Sequence, residues 1–237
     1  MQLFFNPEIT KETKEIIFNK EESRHIVKVL RKNSDDKLII TNGKGTVFTA
    51  TIIVPSDKKC VAKIIDFEQK TKEWNYHLHL AIAPTKNMDR LEWFVEKATE
   101  IGIDEITPII CNNSERKVVK TERLHKIMLA AMKQSLKFHA VTINEPIKFS
   151  EFIKQENSGD KFIAHCYPSE KTSLNNVSSF NSNITILIGP EGDFSEEEVS
   201  LATQSNYTTI SLGKSRLRTE TAALTAVQHI SFLHYNS

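Results

Sequence analysis

Residues 186–224 read ILIGPEGDFSEEEVSLATQSNYTTISLGKSRLRTETAAL, and this stretch contains two transitions from a strand into a helix. The first apolar run ends at residues 189–192, Gly-Pro-Glu-Gly, and an acidic helix start follows at 195–198. The second run, 208–212, ends at Gly213 and passes through alternating basic residues into TETAAL. Loops at the carboxyl ends of strands in an α/β sheet are where ligands bind. The stretch therefore predicts a ligand site built from two neighbouring loops.

Composition and charge restrict the class of protein. The chain has 237 residues, 39% of them apolar, which suits one large domain or two small ones with a buried core. The net charge is +1, so contact with nucleic acid must depend on local basic clusters. Three widely spaced cysteines argue against a disulfide framework and a zinc cluster, and favour a reducing compartment. The sequence shows neither a secretory signal nor a membrane-spanning run, and we predict a cytoplasmic protein.

The pattern of the chain changes near residues 66–76. Before that point, short apolar runs separated by turn signals predict strands at 37–41, 46–54 and 60–67. A helix is predicted over 21–32, with Ile26, Val27, Val29 and Leu30 on its buried side. Later in the chain, strands alternate with helices, which indicates a mainly parallel sheet. We therefore predict a small β domain at 1–70 and an α/β domain at 71–237.

The first loop, residues 189–195, has two physical interpretations. Its glycines allow the backbone to approach a ligand closely. Ser195 followed by Glu198 forms a capping box, however, and a capped helix after a tight turn needs no function. Phosphate is disfavoured as the ligand, because the loop lacks G-K-[ST] and three consecutive glutamates repel an anion. A neutral or cationic ligand, such as a sulfonium, suits this loop.

The second loop places Arg216 and Arg218 directly before a helix start that contains Glu220. An arginine can hold an oxyanion or phosphate with two hydrogen bonds, and a nearby glutamate can accept a proton or hold the arginine. A solvated rim without function is the alternative. A third basic group, Arg24, Lys28 and Arg31, indicates either a surface that follows RNA phosphates or a solvated helix face.

Residues 189–195 (GPEGDFS) and 212–222 (LGKSRLRTETA) resemble the two signature loops of the bacterial 16S rRNA uridine N3-methyltransferases, a SPOUT-class family. Residues 24–31 resemble the amino-terminal motif of that family, and residues 89–102 resemble its central helix. The pair Gln134-Ser135 also falls where the family has it, although Leu136-Lys137 replaces the residues expected next. Asp193 stands where many members carry a second glycine. The matches cover residues 24–224 in the order of the family.

The resemblance implies a fold that local patterns do not predict. It implies a SPOUT-type parallel sheet with a C-terminal trefoil knot, preceded by a small PUA-like β-barrel domain that binds RNA. It also implies that the protein is a homodimer and uses S-adenosyl-L-methionine to methylate N3 of a specific uridine in 16S rRNA, either free or within the 30S ribosomal subunit. No metal is expected. The alternatives are a non-catalytic RNA-binding or ribosome-binding factor and an α/β nucleotide-binding enzyme of another kind.

The resemblance also implies roles for individual residues. Arg218 is expected to stabilise charge or orient the substrate, and Glu220 to act as the base or to hold that arginine. The cofactor is expected to contact the two loops, mainly through the backbone, at Leu187, Gly189, Glu191, Gly192, Leu212, Gly213, Leu217, Thr219 and Ala222. RNA phosphates are expected at Arg24, Lys28, Arg31 and Arg90.

Overall fold

The computed structural model describes residues 2–156, 158–174, 177 and 182–235. The chain forms two compact units. The first comprises Met1–Glu73 with Met132–Ala140, and the second comprises Trp74–Ala131 with Val141–Ser237. Among the residues that the structure describes, no helix combines the length and apolar character needed to cross a membrane.

The first unit is built on a five-stranded sheet. Its strands are β1 (Leu3–Phe5), β2 (Glu15–Ile17), β3 (Lys37–Thr41), β4 (Thr46–Val54) and β5 (Val61–Gln69), in the order β1-β3-β4-β5-β2. The sequence predicted β3 and β4 with these bounds. The turn between them needs two glycines, because Gly43 and Gly45 have φ angles of 73° and 85°. Residues 132–140 return to this turn, where the amide of Gly45 donates to the carbonyl of Phe138 at 2.9 Å.

The helix predicted over 21–32 differs in the structure. Helix α1 (Lys20–Arg24) begins at Asn19, whose side chain accepts from the amide of Glu22 at 2.8 Å, and it continues as a π-helical turn over His25–Val29. The wider turn changes which side chains face inward. Ile26 is buried as predicted, whereas Val29 is 64% exposed and its predicted burial is wrong.

The second unit alternates strands with helices, as the sequence predicted. Its strands are β6 (His77–Ile82), β7 (Glu105–Ile110), β8 (Thr142–Ile143), β9 (Ile147–Lys148), β10 (Asp160–Ala164), β11 (Thr172–Ser173), β12 (Asn183–Ile188) and β13 (Thr208–Ser211). The helices are α2 (Met88–Ile101), α4 (Phe149–Phe152), α5 (Glu196–Gln204) and α6 (Thr219–Tyr235). Helix α3 (Thr121–Gln134) runs across the boundary between the two units.

The sheet of the second unit has the strand order β11-β13-β10-β12-β6-β7-β8, and β9 pairs with β7. Every pairing in it is parallel, which confirms the predicted parallel sheet. The carboxyl ends of parallel strands lie at one edge of a sheet, so the segments that follow β10, β12 and β13 are neighbours there. Helix α6 contacts α2, β6 and β12. Strand β10 lies between β13 and β12, and this order positions the candidate site.

Candidate functional site

Three segments that follow strands β10, β12 and β13 line a cavity of about 870 Å³. This volume lies within the range of small-molecule sites. The lining residues are 164–168, Lys171, 188–193, 210–219 and Ala222. Both loops that the sequence singled out therefore open onto one cavity. Their predicted members Gly189, Glu191, Gly192, Leu212, Gly213, Leu217, Arg218, Thr219 and Ala222 all line it.

Phe194 anchors the first loop to the core. Its side chain is fully buried, and its ring centroid lies 5.5 Å from that of Phe149. The backbone passes close to this ring, since a Cβ atom on Gly189 would lie 3.0 Å from Cδ2 of Phe194. Glycine at position 189 thus allows the loop to turn tightly over a packed aromatic side chain.

The acidic start of α5 is partly structural. Ser195 and Glu198 form the predicted capping box, in which the Ser195 amide donates to Oε2 of Glu198 at 2.8 Å. The second carboxylate oxygen of Glu198, Oε1, accepts from the amide of Asn112 at 2.8 Å. Glu198 is buried, and both of its oxygens hold backbone groups. Its carboxylate therefore supports the loop rather than facing a ligand.

The segment after β7 supports the first loop from outside, and the sequence analysis missed it. The Asn113 amide group donates to the carbonyls of Gly192 and Asp193, each at 3.1 Å. The side-chain amide of Asn112 donates to Oγ of Ser195 at 3.0 Å. Because β7 also ends at the ligand-binding edge of the sheet, the rule that selected the two loops would have selected these asparagines.

Thr219 joins the second loop to the first. Its hydroxyl donates to the carbonyl of Gly189 at 3.1 Å, and the residue is buried. Gly213 has a φ of 131°, and no atom lies within 4 Å of the position of a Cβ. The side chains of Arg216 and Arg218 are exposed beside it. The carboxyl-terminal end of the second loop is thus fixed to the first loop, whereas the exposed arginines form a basic rim.

Glu220 pairs with Arg90 rather than with Arg218. Oε1 of Glu220 lies 3.8 Å from Nε of Arg90, and Glu220 is only 7% exposed. Among the residues that the structure describes, Oε2 of Glu220 has no hydrogen-bond partner. Neither residue is part of the described cavity lining, nor is Leu187, whose side chain lies in the core. The structure thus separates Glu220 from the cavity wall that Arg218 occupies.

The other predicted RNA-contacting residues lie in the first unit. Arg24 ends α1, Lys28 belongs to the π-helical turn, and Arg31 follows it with a φ of 54°. All three are exposed. Nζ of Lys28 lies 3.8 Å from Oδ2 of Asp57, a distance at which an exposed pair contributes little to stability. The three cations therefore remain accessible to a polyanion.

His165 is a third residue that the sequence analysis missed. It follows β10 directly, lines the cavity and is 7% exposed. Burial lowers the pKa of the imidazole, and the nearby Lys171 lowers it further, although Asp193 acts in the opposite direction. Its place after a strand is the sequence signal that points to it, but this signal alone does not single out one histidine among the eight in the chain.

Asp193 fastens the loop after β12 to the loop after β10. Its φ is 63°, and Oδ2 accepts from the amide of Cys166 at 2.7 Å. Oδ1 accepts from the amide of Phe194 at 2.8 Å. Glycine would adopt the same φ without strain but cannot accept these hydrogen bonds. Asp193 thus links two cavity loops by hydrogen bonds that a glycine at this position could not form. We call this link the Asp193 clasp.

We expect Asp193→Gly to accelerate hydrogen exchange of the Cys166 amide by about 10-fold or more, because a hydrogen bond to a charged acceptor contributes about 1.5–3 kcal/mol. The midpoint of thermal unfolding should change little, because the relief of backbone strain offsets part of the loss. Asp193→Asn is the matched control, since asparagine tolerates this φ and keeps one acceptor. Unchanged exchange at Cys166 in Asp193→Gly would contradict the clasp.

Comparison with known proteins gives a consistent result over nearly the whole chain. A family model described as RNA methyltransferase domain matches residues 72–231, and one described as RNA methyltransferase PUA domain matches residues 18–65. The ribosomal RNA small subunit methyltransferase E of Rickettsia conorii is 31% identical over 236 residues, which cover 98% of this chain and 95% of that protein.

Solved structures with similar folds include the following two. The probable rRNA-methyltransferase from Porphyromonas gingivalis is 38% identical with a TM-score of 0.91, over 99% of this chain and 98% of that one. The ribosomal RNA small subunit methyltransferase E from Neisseria gonorrhoeae, solved bound to S-adenosyl methionine, is 26% identical with a TM-score of 0.85, over 98% of each chain. The similarity therefore includes both units and all the loops of the cavity.

Proposed function

The chain belongs to the ribosomal RNA small subunit methyltransferase E family, and on that premise we propose that it methylates N3 of a specific uridine in 16S rRNA. The proposed methyl donor is S-adenosylmethionine, which is bound in the structure of the relative from Neisseria gonorrhoeae. The observation that carries the proposal is the cavity in which the two loops meet, joined by Thr219 and Gly189. We place this activity in the cytoplasm, where rRNA is made and assembled.

The residues of the cavity fit this cofactor. Gly189, Gly192 and Gly213 allow the backbone of both loops to approach a ligand closely. Oε2 of Glu191 is buried without a hydrogen-bond partner among the described residues, and a carboxylate suits a cationic ligand. When bound, S-adenosylmethionine supplies a methyl group on a positively charged sulfur. The cavity would hold it mainly through backbone groups of the two loops.

Arg218 is our candidate for the residue that assists the chemical step. Uridine N3 carries a proton that passes to solvent water, and its loss leaves negative charge on the neighbouring carbonyl oxygens until the methyl group is transferred. A guanidinium beside those oxygens would stabilise that charge and orient the base. Arg218 is exposed at the rim of the cavity, where a base that enters from solvent would meet it.

Glu220 is better suited to position Arg90 than to take a proton. It lies 3.8 Å from Arg90 and is not among the described residues of the cavity wall. Arg90, held in this way, would contact RNA. The exposed Arg24, Lys28 and Arg31 of the first unit would hold phosphates, in agreement with the match of this unit to a PUA domain.

We also propose that the chain is knotted and that the protein is a homodimer. Strand β13 lies between β11 and β10, so it is inserted between two strands that precede it, and α6 then returns to β6 and β12. This order supports a trefoil knot, a rare exception to ordinary chain topology.

The exposed apolar side chains bear on the proposed homodimer. Trp93 on α2 and Phe232 on α6 are 43% and 62% exposed, and the two helices pack together. Apolar side chains on neighbouring helices support a second copy as the partner.

The proposal is tested by calorimetry with S-adenosylmethionine, followed by transfer of a labelled methyl group. We expect the protein to bind the cofactor and to methylate assembled small subunits faster than deproteinised 16S rRNA. The net charge of +1 supports this order of rates, because a weakly charged protein must recognise the shape of its substrate as well as its phosphates. Cofactor binding without transfer to either RNA would indicate a non-catalytic factor. Binding of ATP or NAD instead would indicate a different enzyme.

A further inference from the structure

His165 occupies the middle of the cavity floor. Strand β10 pairs with β12 on one side and with β13 on the other, and Ala164 is in register with both Ile188 and Ile210. His165 therefore follows the central strand of three, between Gly189 at the start of the first loop and Ser211 at the end of β13. A ligand that bridges the two loops would lie across the end of this central strand.

The imidazole of His165 has unsatisfied hydrogen-bonding capacity. The side chain is 7% exposed, and neither Nδ1 nor Nε2 has a hydrogen-bond partner among the residues that the structure describes. A buried polar group without a partner is costly, and most buried polar atoms in proteins are satisfied. His165 thus belongs to the cavity wall and has two buried ring nitrogens whose hydrogen-bonding capacity the described residues leave unsatisfied.

The neighbouring groups hold His165 in place without binding its ring nitrogens. Nζ of Lys171 donates to the carbonyl of His165 at 2.9 Å. The next residue, Cys166, donates its amide to Asp193, and the hydroxyl of Tyr167 donates to the carbonyl of Phe194 at 2.8 Å. The backbone next to His165 is therefore fixed to the first loop, and none of these hydrogen bonds uses a ring nitrogen of His165.

The protonation state of the ring follows from its surroundings. Burial and the Lys171 ammonium both lower the pKa of His165, against the opposing effect of the Asp193 carboxylate. The imidazole is therefore neutral at neutral pH, with one N–H donor and one acceptor nitrogen on opposite sides. Such a ring complements an uncharged polar ligand that offers both an acceptor and a donor.

We propose that His165 is a cofactor-binding residue, which forms hydrogen bonds with uncharged polar groups of S-adenosylmethionine from the floor of the cavity. This assignment rests on the proposed function. The cofactor is favoured over the uridine base, because His165 is buried between both loops whereas Arg216 and Arg218 mark the exposed rim. A base that belongs to a large RNA enters from the rim, and a small free molecule can fill the floor.

The test is calorimetry of S-adenosylmethionine with the full-length protein and three variants. His165→Phe keeps a planar ring but removes both hydrogen bonds, and we expect the Kd to rise about 10-fold to 100-fold. His165→Gln keeps a donor and an acceptor and should recover part of this loss. His229→Phe is the control, because Nε2 of His229 is also buried without a described partner but His229 is not among the described lining residues. Its Kd should match that of the unsubstituted protein.

Two further measurements distinguish cofactor binding from a structural role. The midpoint of thermal unfolding of His165→Phe without cofactor should stay the same or rise, because the substitution removes an unsatisfied buried polar group. The rate at saturating cofactor should change less than about threefold, since binding in the ground state affects affinity rather than the chemical step.

Three results would overturn the assignment. The first is an unchanged Kd in His165→Phe while the unsubstituted protein binds the cofactor. The second is a loss of affinity accompanied by an equal loss of stability without cofactor. The third is a change confined to the saturated rate or to the KM for RNA, which would assign His165 to the uridine base. Absence of cofactor binding by the unsubstituted protein would instead reject the proposed function, and this assignment with it.

Discussion

Arg218→Ala is expected to lower the rate of methyl transfer at saturating cofactor by about 10²–10³-fold, the effect of removing one group that stabilises developing negative charge. The Kd for S-adenosylmethionine should change less than about threefold, because the cofactor is held mainly by backbone groups. Single-turnover transfer to small subunits, with calorimetry of the cofactor, separates these two effects. These two results together would assign the guanidinium at the cavity rim to the transition state rather than to cofactor binding.

Arg123→Ala is the matched control for this experiment. Arg123 is also an arginine of the second unit, but it pairs with Glu92 and is not among the described residues of the cavity wall. Its loss should leave the single-turnover rate unchanged. If Arg218→Ala kept full transfer with unchanged cofactor affinity, the role assigned to Arg218 would be wrong.

Phe194→Ala is expected to lower the free energy of unfolding by about 3–5 kcal/mol, the usual cost of removing a buried aromatic side chain. Phe194 is fully buried against Phe149, so the loss leaves a cavity in the core. It also frees the loop that carries Gly189 and Glu191, so cofactor affinity should fall together with stability. Denaturant unfolding of the protein without cofactor measures the first effect, and calorimetry measures the second.

Phe194→Leu is the graded comparison for this prediction. Leucine refills part of the space, and its cost should be smaller than that of alanine. A loss of less than about 1 kcal/mol in Phe194→Ala would contradict the anchoring role. Equal losses in the two variants would show that packing against Phe149 does not determine the stability of this loop.

The elements that could be predicted from sequence are those with a long local pattern. Strands β3 and β4 follow apolar runs beside a clear turn signal, and their predicted bounds agree with the structure. The capping box of α5 needs only Ser195 and Glu198, which are close in sequence. Strands β1, β2, β8, β9 and β11 have only two or three residues each, too few to form a pattern. They exist because a neighbouring strand supplies hydrogen bonds, which a local pattern does not record.

The residues of the candidate site also divide into those that a local sequence pattern predicts and those that it does not. The two loops that line the cavity are contiguous segments, so their glycines and arginines were visible together in the sequence. The support from Asn112 and Asn113 joins residues that are far apart along the chain. The partner of Glu220 is likewise distant, and the sequence suggested the neighbouring Arg218 where the structure has Arg90. Contacts of this kind depend on the strand order, which local patterns do not predict.

His165 was missed for a different reason. A single histidine after a short strand is ordinary in a chain with eight histidines. Its interest comes from burial, from its two unpartnered ring nitrogens and from its position between β12 and β13. Each of these properties requires the fold. Asp193 was noted as a departure from the glycine of the family, but its bond to Cys166 also required the structure.

The proposed reaction is the transfer of a methyl group in this cavity to N3 of a uridine in 16S rRNA. Its most direct test is mass spectrometry of nucleosides from 16S rRNA after unmodified small subunits have been incubated with the protein and S-adenosylmethionine. We expect 3-methyluridine, at no more than one residue per subunit, and its loss in Arg218→Ala. Methylation of a ribose hydroxyl or of another base atom, or no methylation by a protein that binds the cofactor, would contradict the claim.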